Sequence, residues 1–310
     1  MKSFNIKFFI SLITLLVTNI CFSQNSVEPS LPFLIPDEKI LPLRQLVNKN
    51  LQRKLDKTLK NNPTWAKLIQ KKKMAVGLVD LSDPYHIKFA RVNGSEMMYA
   101  ASLPKLAILL AAAQALEEGS LKENQKIYDD MHEMISQSDN KAATRLIDLL
   151  GFTKIESTLT DPKYELYDPE YGGGLWVGKR YAKKGKRYPD PLMGLSHGAS
   201  VTQVCRFYYL LVMGKLVSPQ RSEQMLEMLA DPELHHKFVK SLDEIAPQAK
   251  LYRKSGTWRK WHSDSILVWG PVWRRYILAA LIEDKNGEYI LRELVPTIEN
   301  ILKTQPPLTP

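Results

Sequence analysis

The chain reads as an α/β protein of the α+β kind: an antiparallel sheet flanked by helices, with an all-helical lobe inserted into it. Two observations predict this. Strand-like apolar runs lie near both ends of the chain, at Met74 to Asp80, Ile87 to Val92, Leu251 to Trp258, Ser265 to Trp269 and Tyr276 to Ile282. Helical periodicity occupies the middle, approximately residues 102–230. A sheet assembled from the two ends must therefore accept the middle as an insertion.

Residues 1–23 read as a secretory signal. Lys2 and Lys7 form a basic start, and Phe8 to Ile20 is an apolar stretch too short for a confident membrane span. Cys21-Phe22-Ser23 places small residues where a signal peptidase reads, so cleavage after Ser23 is expected. An uncleaved anchor is the alternative. A lipoprotein reading would acylate Cys21, but bulky Ile20 before it argues against that. The expectation is a secreted or periplasmic protein with no stable membrane span after signal cleavage. Cleavage leaves Cys205 as the one cysteine, in an apolar helical run, so no internal disulfide can form.

The formal net charge of +10 becomes +8 once Lys2 and Lys7 are lost. The surplus is scattered over Lys71-Lys72-Lys73, Lys183-Lys184 and Arg274-Arg275. It suits an anionic cell envelope or carboxylate substrates and shows no nucleic-acid module. No cofactor or metal is called for. His132-Glu133 has Ser136 where a zinc-protease helix needs its second histidine, and His235-His236 is an isolated pair. Gly172-Gly173-Gly174 is not followed by the Gly-Lys-Ser/Thr of a phosphate loop.

Residues 24–71 form an N-terminal tether and helix. The tether, 24–38, is proline-rich, and Leu41 to Leu59 carries apolar residues at helical spacing. The domain proper spans 72–303, and 304–310 is a tail. Ser82-Asp83-Pro84 turns the first strand into the second, and this hairpin leads to Ala100-Ala101-Ser102. Leu106 to Leu116 is apolar all round, with Pro104 suited to a first turn and Gly119 as its stop, so it reads as a buried central helix. Asn140 to Leu150 is a second helix ending at Gly151. Residues 160–195 look irregular, and loops of this length inside a domain are usually functional. Helices resume at Thr202 to Gly214, Pro219 to Leu229 and, after the last strand, Leu291 to Leu302.

Three short segments carry the chemistry: Ser102-Leu103-Pro104-Lys105, Ser138-Asp139-Asn140 and Lys254-Ser255-Gly256. They supply a serine with a lysine one helical turn away, a second hydroxyl with an amide, and a lysine on a glycine-containing strand. Acyl transfer through a serine ester needs such groups: a nucleophile, a base, and donors for an anionic substrate. Singly each segment is weak. Ser138 to Lys141 repeats the serine-lysine spacing by chance, and Ser-Asp-Asn is a common helix cap.

In this order the three segments make the chain resemble the class A β-lactamases and penicillin-binding proteins over about residues 72–303. The resemblance implies a two-lobed fold with the active site between the lobes. It implies Ser102 as nucleophile, Lys105 as its base in the neutral form, and Ser138 as proton relay to the leaving nitrogen. Asn140 would hydrogen-bond the substrate amide. Lys254 would fix Ser138 and attract the substrate carboxylate, with its cation helping to keep Lys105 neutral. Ser255 and Thr257 would donate to that carboxylate beside Gly256, and the N–H groups of Ser102 and Thr257 would form the oxyanion hole. Arg253 is placed by strand alternation to face away from Lys254. The implied partner is a small-molecule β-lactam or a peptidoglycan stem peptide, and the implied state a monomer.

Three departures qualify the resemblance. Ser138 follows Ser102 by 36 residues, shorter than usual in the family, so part of the helical lobe is missing. The Glu-x-x-Leu-Asn motif of the hydrolytic enzymes is absent between residues 141 and 200. Glu165 and Glu170 are the acids available there, and Glu170 is the candidate surrogate base for deacylation. Trp176, Trp258 and Trp261 stand nearby, either as packing or as an aromatic wall for a larger substrate. His197 and His262 raise the choice between a structural ring and a base. Three readings follow: a class A β-lactamase-like hydrolase, a D-alanyl-D-alanine peptidase acylated by β-lactams, and a non-catalytic cell-wall-binding protein. The intact serine, lysine and asparagine set argues against the third.

Overall fold

The computed structural model describes residues 30–33 and 35–304. The signal segment 1–23, residues 24–29 and 34 of the tether, and the tail after Thr304 lie outside the described residues.

Five strands build the main sheet: β1 (Met74–Asp80), β2 (Lys88–Val92), β8 (Lys250–Trp258), β9 (Trp261–Trp269) and β10 (Arg275–Glu283). Their order is β2-β1-β10-β9-β8, and every neighbouring pair is antiparallel. The expected union of N- and C-terminal strands is therefore present. β1 and β10 are buried on both faces because helices cover both sides. One face, with Ala75, Val79, Ile277 and Leu267, packs on the inserted lobe. The other, with Val76, Leu78, Ile266 and Leu278, packs on helices from the two chain ends.

Those end helices are α1 (Lys49–Lys60), α2 (Pro63–Gln70), α9 (Phe238–Ile245) and α10 (Gly287–Lys303). The helix expected from Leu41 begins only at Lys49. Leu43–Leu46 is a 3-10 turn after Pro42, and the helix nucleates where Asn48 Oδ1 accepts from the N–H groups of Asn50 and Leu51. α1 then buries Leu51, Leu55 and Leu59 along one stripe. α10 runs through Pro296, and the carbonyl that proline cannot satisfy, that of Arg292, accepts from Ser241 Oγ at 2.9 Å. It also begins four residues before the expected Leu291.

The inserted lobe centres on α3 (Lys105–Glu117), buried at every position from Lys105 to Ala113. Around it lie α4 (Gln125–Ser136), α5 (Asn140–Leu150), α6 (Phe152–Thr160), α7 (Val201–Val212) and α8 (Pro219–Leu229). Cys205 is buried in α7. The irregular stretch folds into short pairings: β4 (Tyr167–Asp168) with β5 (Gly173–Gly174), and β6 (Trp176–Val177) with β7 (His197–Ala199), which also pairs with β3 (Met98–Tyr99). β3 directly precedes the Ser102 turn, so this small sheet fixes the long loop against the start of α3.

Candidate active site

Ser102 lies in the turn Ala101–Pro104, and regular α3 starts at Lys105. The serine thus stands one tight turn before the helix rather than in its first turn. Lys105 N–H donates to Ser102 O at 3.2 Å, and Leu103 N–H to Ala100 O at 3.1 Å. Ala101 is held at φ 51°, a left-handed conformation that non-glycine residues rarely adopt. Such strain persists where the surroundings over-determine it, often at functional sites.

Lys105 is buried, and its Nζ is directed at the Ser138 loop. It donates to Ser138 O at 2.5 Å, Asn140 Oδ1 at 2.8 Å and Asp139 O at 3.2 Å, with Ser138 Oγ at 3.4 Å. Burial lowers its pKa from 10.5 to about 7, against a smaller opposing pull from Asp139. The neutral amine is thus populated near neutral pH, with desolvation as the leading cause. The repulsion between the two cleft lysines appears instead on Lys254, whose pKa falls well below 10.5 through burial first and Lys105 second.

The Ser138 loop is shaped to meet both lysines. Ser138 is at φ 59°, and Asp139 caps α5 through Oδ1, which accepts from Ala142 N–H at 2.6 Å. Lys254 Nζ donates to Ser138 Oγ at 2.9 Å and to Ser255 O at 2.9 Å. One hydroxyl therefore stands between two amines, one from α3 and one from β8. Asn140 is exposed and uses its oxygen on Lys105, which leaves its amide N–H groups as the donors for a ligand.

β8 is the sheet's edge strand. Its start is covered, because Asp231 N–H donates to Leu251 O and Ala230 bridges Tyr252. From Lys254 onward no further strand pairs with that edge among the described residues. A side chain at Gly256 would place its Cβ 2.3 Å from Ala100 O and 2.6 Å from Ser102 N. Only glycine lets the strand approach the Ser102 turn this closely. Ser255 is buried beside it and Thr257 is exposed. Arg253 faces the other side, where it pairs with Asp264 at 2.7 and 2.9 Å.

The opposite wall is aromatic. Tyr181, from the long loop, sits with its ring centroid 4.6 Å from Lys105 Nζ and donates through its hydroxyl to Ala101 O at 3.1 Å. His197 packs on Tyr181 with ring centroids 4.3 Å apart. Its Nε2 lies 3.0 Å from Lys179 O and its Nδ1 3.2 Å from Ser196 Oγ. Burial lowers its pKa to about 4, so the ring is neutral, donating from Nε2. It supports Tyr181 and is not poised as a base. His262 lies on β9 opposite Thr257, against Gly287.

Glu170 is not brought to the cleft. It is exposed on the turn Pro169–Tyr171, in a segment tied down by Arg44, which bonds Asp168 at 3.2 Å and covers the Tyr171 ring at 3.5 Å. Glu165 pairs with Arg206 at 3.2 Å. Among the described residues no carboxylate bonds or pairs with Lys105, Lys254 or Ser138. Trp176 is packing: it is buried, stacks on Tyr167 at 4.8 Å and donates to Tyr188 O. Trp258 is 53% exposed on the hairpin past Thr257, and Trp261 meets Tyr99 edge-on at 5.5 Å. Sequence reasoning missed Tyr181. Nothing in its spacing separates it from Tyr171 or Tyr188 in the same irregular stretch. No group of three or more His, Cys, Asp or Glu side chains that could hold a metal occurs among the described residues, and no described helix is long and apolar enough to cross a membrane.

Several solved structures share this fold. No curated protein matches the chain. Among solved structures it is similar to a β-lactamase from Sphaerobacter thermophilus, at 17% identity and a TM-score of 0.60, over 80% of this chain and 99% of that one. It is similar also to a mutant of PBP-A solved as an acyl-enzyme complex with penicillin G, at 18% identity and a TM-score of 0.63, over 86% of this chain and all (100%) of that one. A β-lactamase from Chitinophaga pinensis matches at 14% identity and a TM-score of 0.58, over 78% of this chain and 97% of that one. The Beta-lactamase enzyme family matches residues 54–131 and 128–303, nearly the whole described chain, and the protein belongs to that family.

Proposed function

We propose that the protein is an active-site-serine hydrolase that works through an acyl-enzyme on Ser102, cleaving β-lactam amides in the manner of class A β-lactamases, and that residues 1–23 export it to the periplasm or beyond. One observation carries the reading: Ser138 Oγ stands between two buried amines, Lys105 at 3.4 Å and Lys254 at 2.9 Å, beside the Ser102 turn. A scaffold has no reason to bury two lysines around one hydroxyl, since each buried ammonium is expensive.

The chemistry follows from these positions. Neutral Lys105 takes the proton of Ser102 Oγ as that oxygen bonds to the acyl carbon. The oxyanion is received by the N–H groups of Ser102 and Thr257, a donor of this kind being worth about 2.7–4 kcal/mol. Ser138 passes a proton to the leaving nitrogen as the C–N bond breaks, and regains one from the Lys105 ammonium. Lys254, Ser255 and Thr257 hold the substrate carboxylate, and Asn140 holds its amide. Water then cleaves the ester.

A second reading is favoured by the aromatic wall. With Tyr181 over Lys105 and no carboxylate bonded there, the site is better equipped to form the ester than to hydrolyse it. That suits a peptidoglycan D-alanyl-D-alanine peptidase which β-lactams acylate and inhibit. Intact-mass spectrometry after incubation with penicillin tests both. One adduct per chain, mapped to Ser102 and absent in Ser102→Ala, is expected. An undiminished adduct in Ser102→Ala, or none in the wild type, overturns the assignment. Persistence of the adduct separates the second reading from the first.

A further inference from the structure

We propose that Lys237 and Tyr181 are positioning residues that hold, from behind, the two peptide groups whose N–H bonds form the oxyanion hole. The inference rests on the assignment of Ser102 as nucleophile and adds residues that none of the three motifs contains.

Lys237 is fully buried, just ahead of α9, with its Nζ at the seam between β8 and β9. Its Nζ donates to Gly256 O at 2.6 Å and to Ser263 O at 3.0 Å. Asp264, the carboxylate that acts on it most strongly, is committed elsewhere. It binds Arg253 through both oxygens, and its Oδ2 also accepts from Phe238 N–H at 3.2 Å. The Lys237 amine therefore bonds two backbone carbonyls and forms no ion pair. Lys237 itself is at φ 54° and ψ −122°, a strained backbone for a residue with a side chain. Strain of this kind costs on the order of 1–3 kcal/mol and persists only where something depends on it.

Gly256 O belongs to the same peptide group as Thr257 N–H. In a trans peptide the two point in opposite directions. A cation on the carbonyl fixes the plane of that peptide and polarises its N–H, which projects the other way, toward the open edge of β8. Ser263 Oγ adds a weaker bond to the same oxygen at 3.3 Å.

The second peptide repeats the arrangement. Ala101 O, which accepts from Tyr181 at 3.1 Å, belongs to the same group as Ser102 N–H. The two peptides are also held to each other, because Gly256 packs directly against Ser102 N and Ser263 Oγ donates to Ala100 O at 2.8 Å. Both donors are thus aimed before any substrate arrives, which is the condition for strong stabilisation of a developing charge.

Amide nitrogen shifts in the free, isotope-labelled protein test the geometry without any activity. Lys237→Met keeps an unbranched chain one atom shorter without the amine, and should move Thr257 N upfield while leaving Ser102 N in place. Tyr181→Phe keeps the ring and should do the reverse. The acylated protein tests the consequence. In Lys237→Met the infrared band of the ester carbonyl should move to higher frequency, and acylation by penicillin should slow about tenfold, a fraction of the 10²–10³-fold lost when a whole donor is removed. An unmoved Thr257 amide in folded Lys237→Met overturns the proposal. So does a loss of thermal stability with the ester band and acylation rate unchanged, which marks a merely structural clamp. Should Lys237→Met fail to fold, Tyr181→Phe and the Ser102 amide decide by the same criteria. If the amides respond but the wild type takes no acyl group, the serine-enzyme reading falls, and the catalytic role of these contacts with it.

Discussion

The two walls of the cleft differ in kind. The wall built by α3, the Ser138 loop and β8 presents two amines, a hydroxyl and an amide joined by hydrogen bonds: Lys105, Lys254, Ser138 and Asn140. The wall built by the loop between α6 and α7 presents Tyr181 and a neutral His197, with its acids Glu165 and Glu170 turned elsewhere. The first wall holds what forming a serine ester requires. The second holds no group in position to activate water. On the proposed acyl-enzyme reading, the two halves of the chemistry are therefore served unequally, and the inequality is written in which loop carries ionisable side chains to the centre.

The largest effect should come from breaking the first wall. Lys105→Met nearly keeps the buried volume and removes the proposed base, so acylation should fall by about 10²–10⁴-fold, the usual contribution of a positioned base. Thermal unfolding would confirm that the fold survives. A wild-type acylation rate in this variant would transfer the base to another residue. The same wall fixes a pH dependence. As the proposed base, Lys105 would act only without its proton, and burial brings its pKa down to about 7. Below that value the ammonium predominates, so the acylation rate should rise through about pH 7 and level off above it. A stopped-flow profile that is flat across that range would show that the deprotonation of Lys105 does not control the step.

A smaller effect should follow at the seam between β8 and the Ser102 turn. In Gly256→Ala the new methyl meets Ala100 O and Ser102 N inside contact distance, and both are backbone atoms that cannot step aside cheaply. Overpacking of this kind typically costs about 1–3 kcal/mol. A lowered melting temperature together with slower acylation is expected, because the displaced strand carries Thr257. Unchanged values for both would mean that the two backbones are not in register at this point.

The first wall was legible in the sequence and the second was not. Ser102, Lys105, Ser138 and Lys254 lie in short motifs whose residue types are demanded by chemistry, and α3 betrays its burial by being apolar on every side. The sheet was legible for the same reason: β1 and β10 are continuous apolar runs. The missed helices, α2, α4, α6 and α9, are short or amphipathic, and their signals are local. α2 starts at Asn62-Pro63 and α4 at Asn124, both caps that a closer reading of helix starts would find. α6 and α9 have no side-chain cap at all. Tyr181 and Lys237 escaped because they act through backbone carbonyls brought close by tertiary structure, and no spacing along the chain encodes such a contact.

The smallest expected effect is the most informative about the second wall. Glu170 is the acid that sequence position alone nominates as the base for deacylation. In the structure it is solvent-exposed, on a turn anchored to Arg44, with Tyr181 and His197 occupying the loop's approach to Lys105. Glu170→Gln should therefore leave both acylation and ester hydrolysis unchanged within a factor of about two, the level expected for an exposed side chain. The wild type should show a stoichiometric burst with penicillin followed by a low steady rate, since the ester forms readily and lacks an activated water. Two results would break this account. A longer-lived adduct in Glu170→Gln would mean that the loop rearranges after acylation and carries its carboxylate inward. Burst-free turnover of a chromogenic cephalosporin at hundreds per second, high in the usual range of about 1–10³ s⁻¹, would mean that water is activated by a group on the first wall. Lys105, about half neutral near pH 7 and bonded to Ser138, would then be the group to examine.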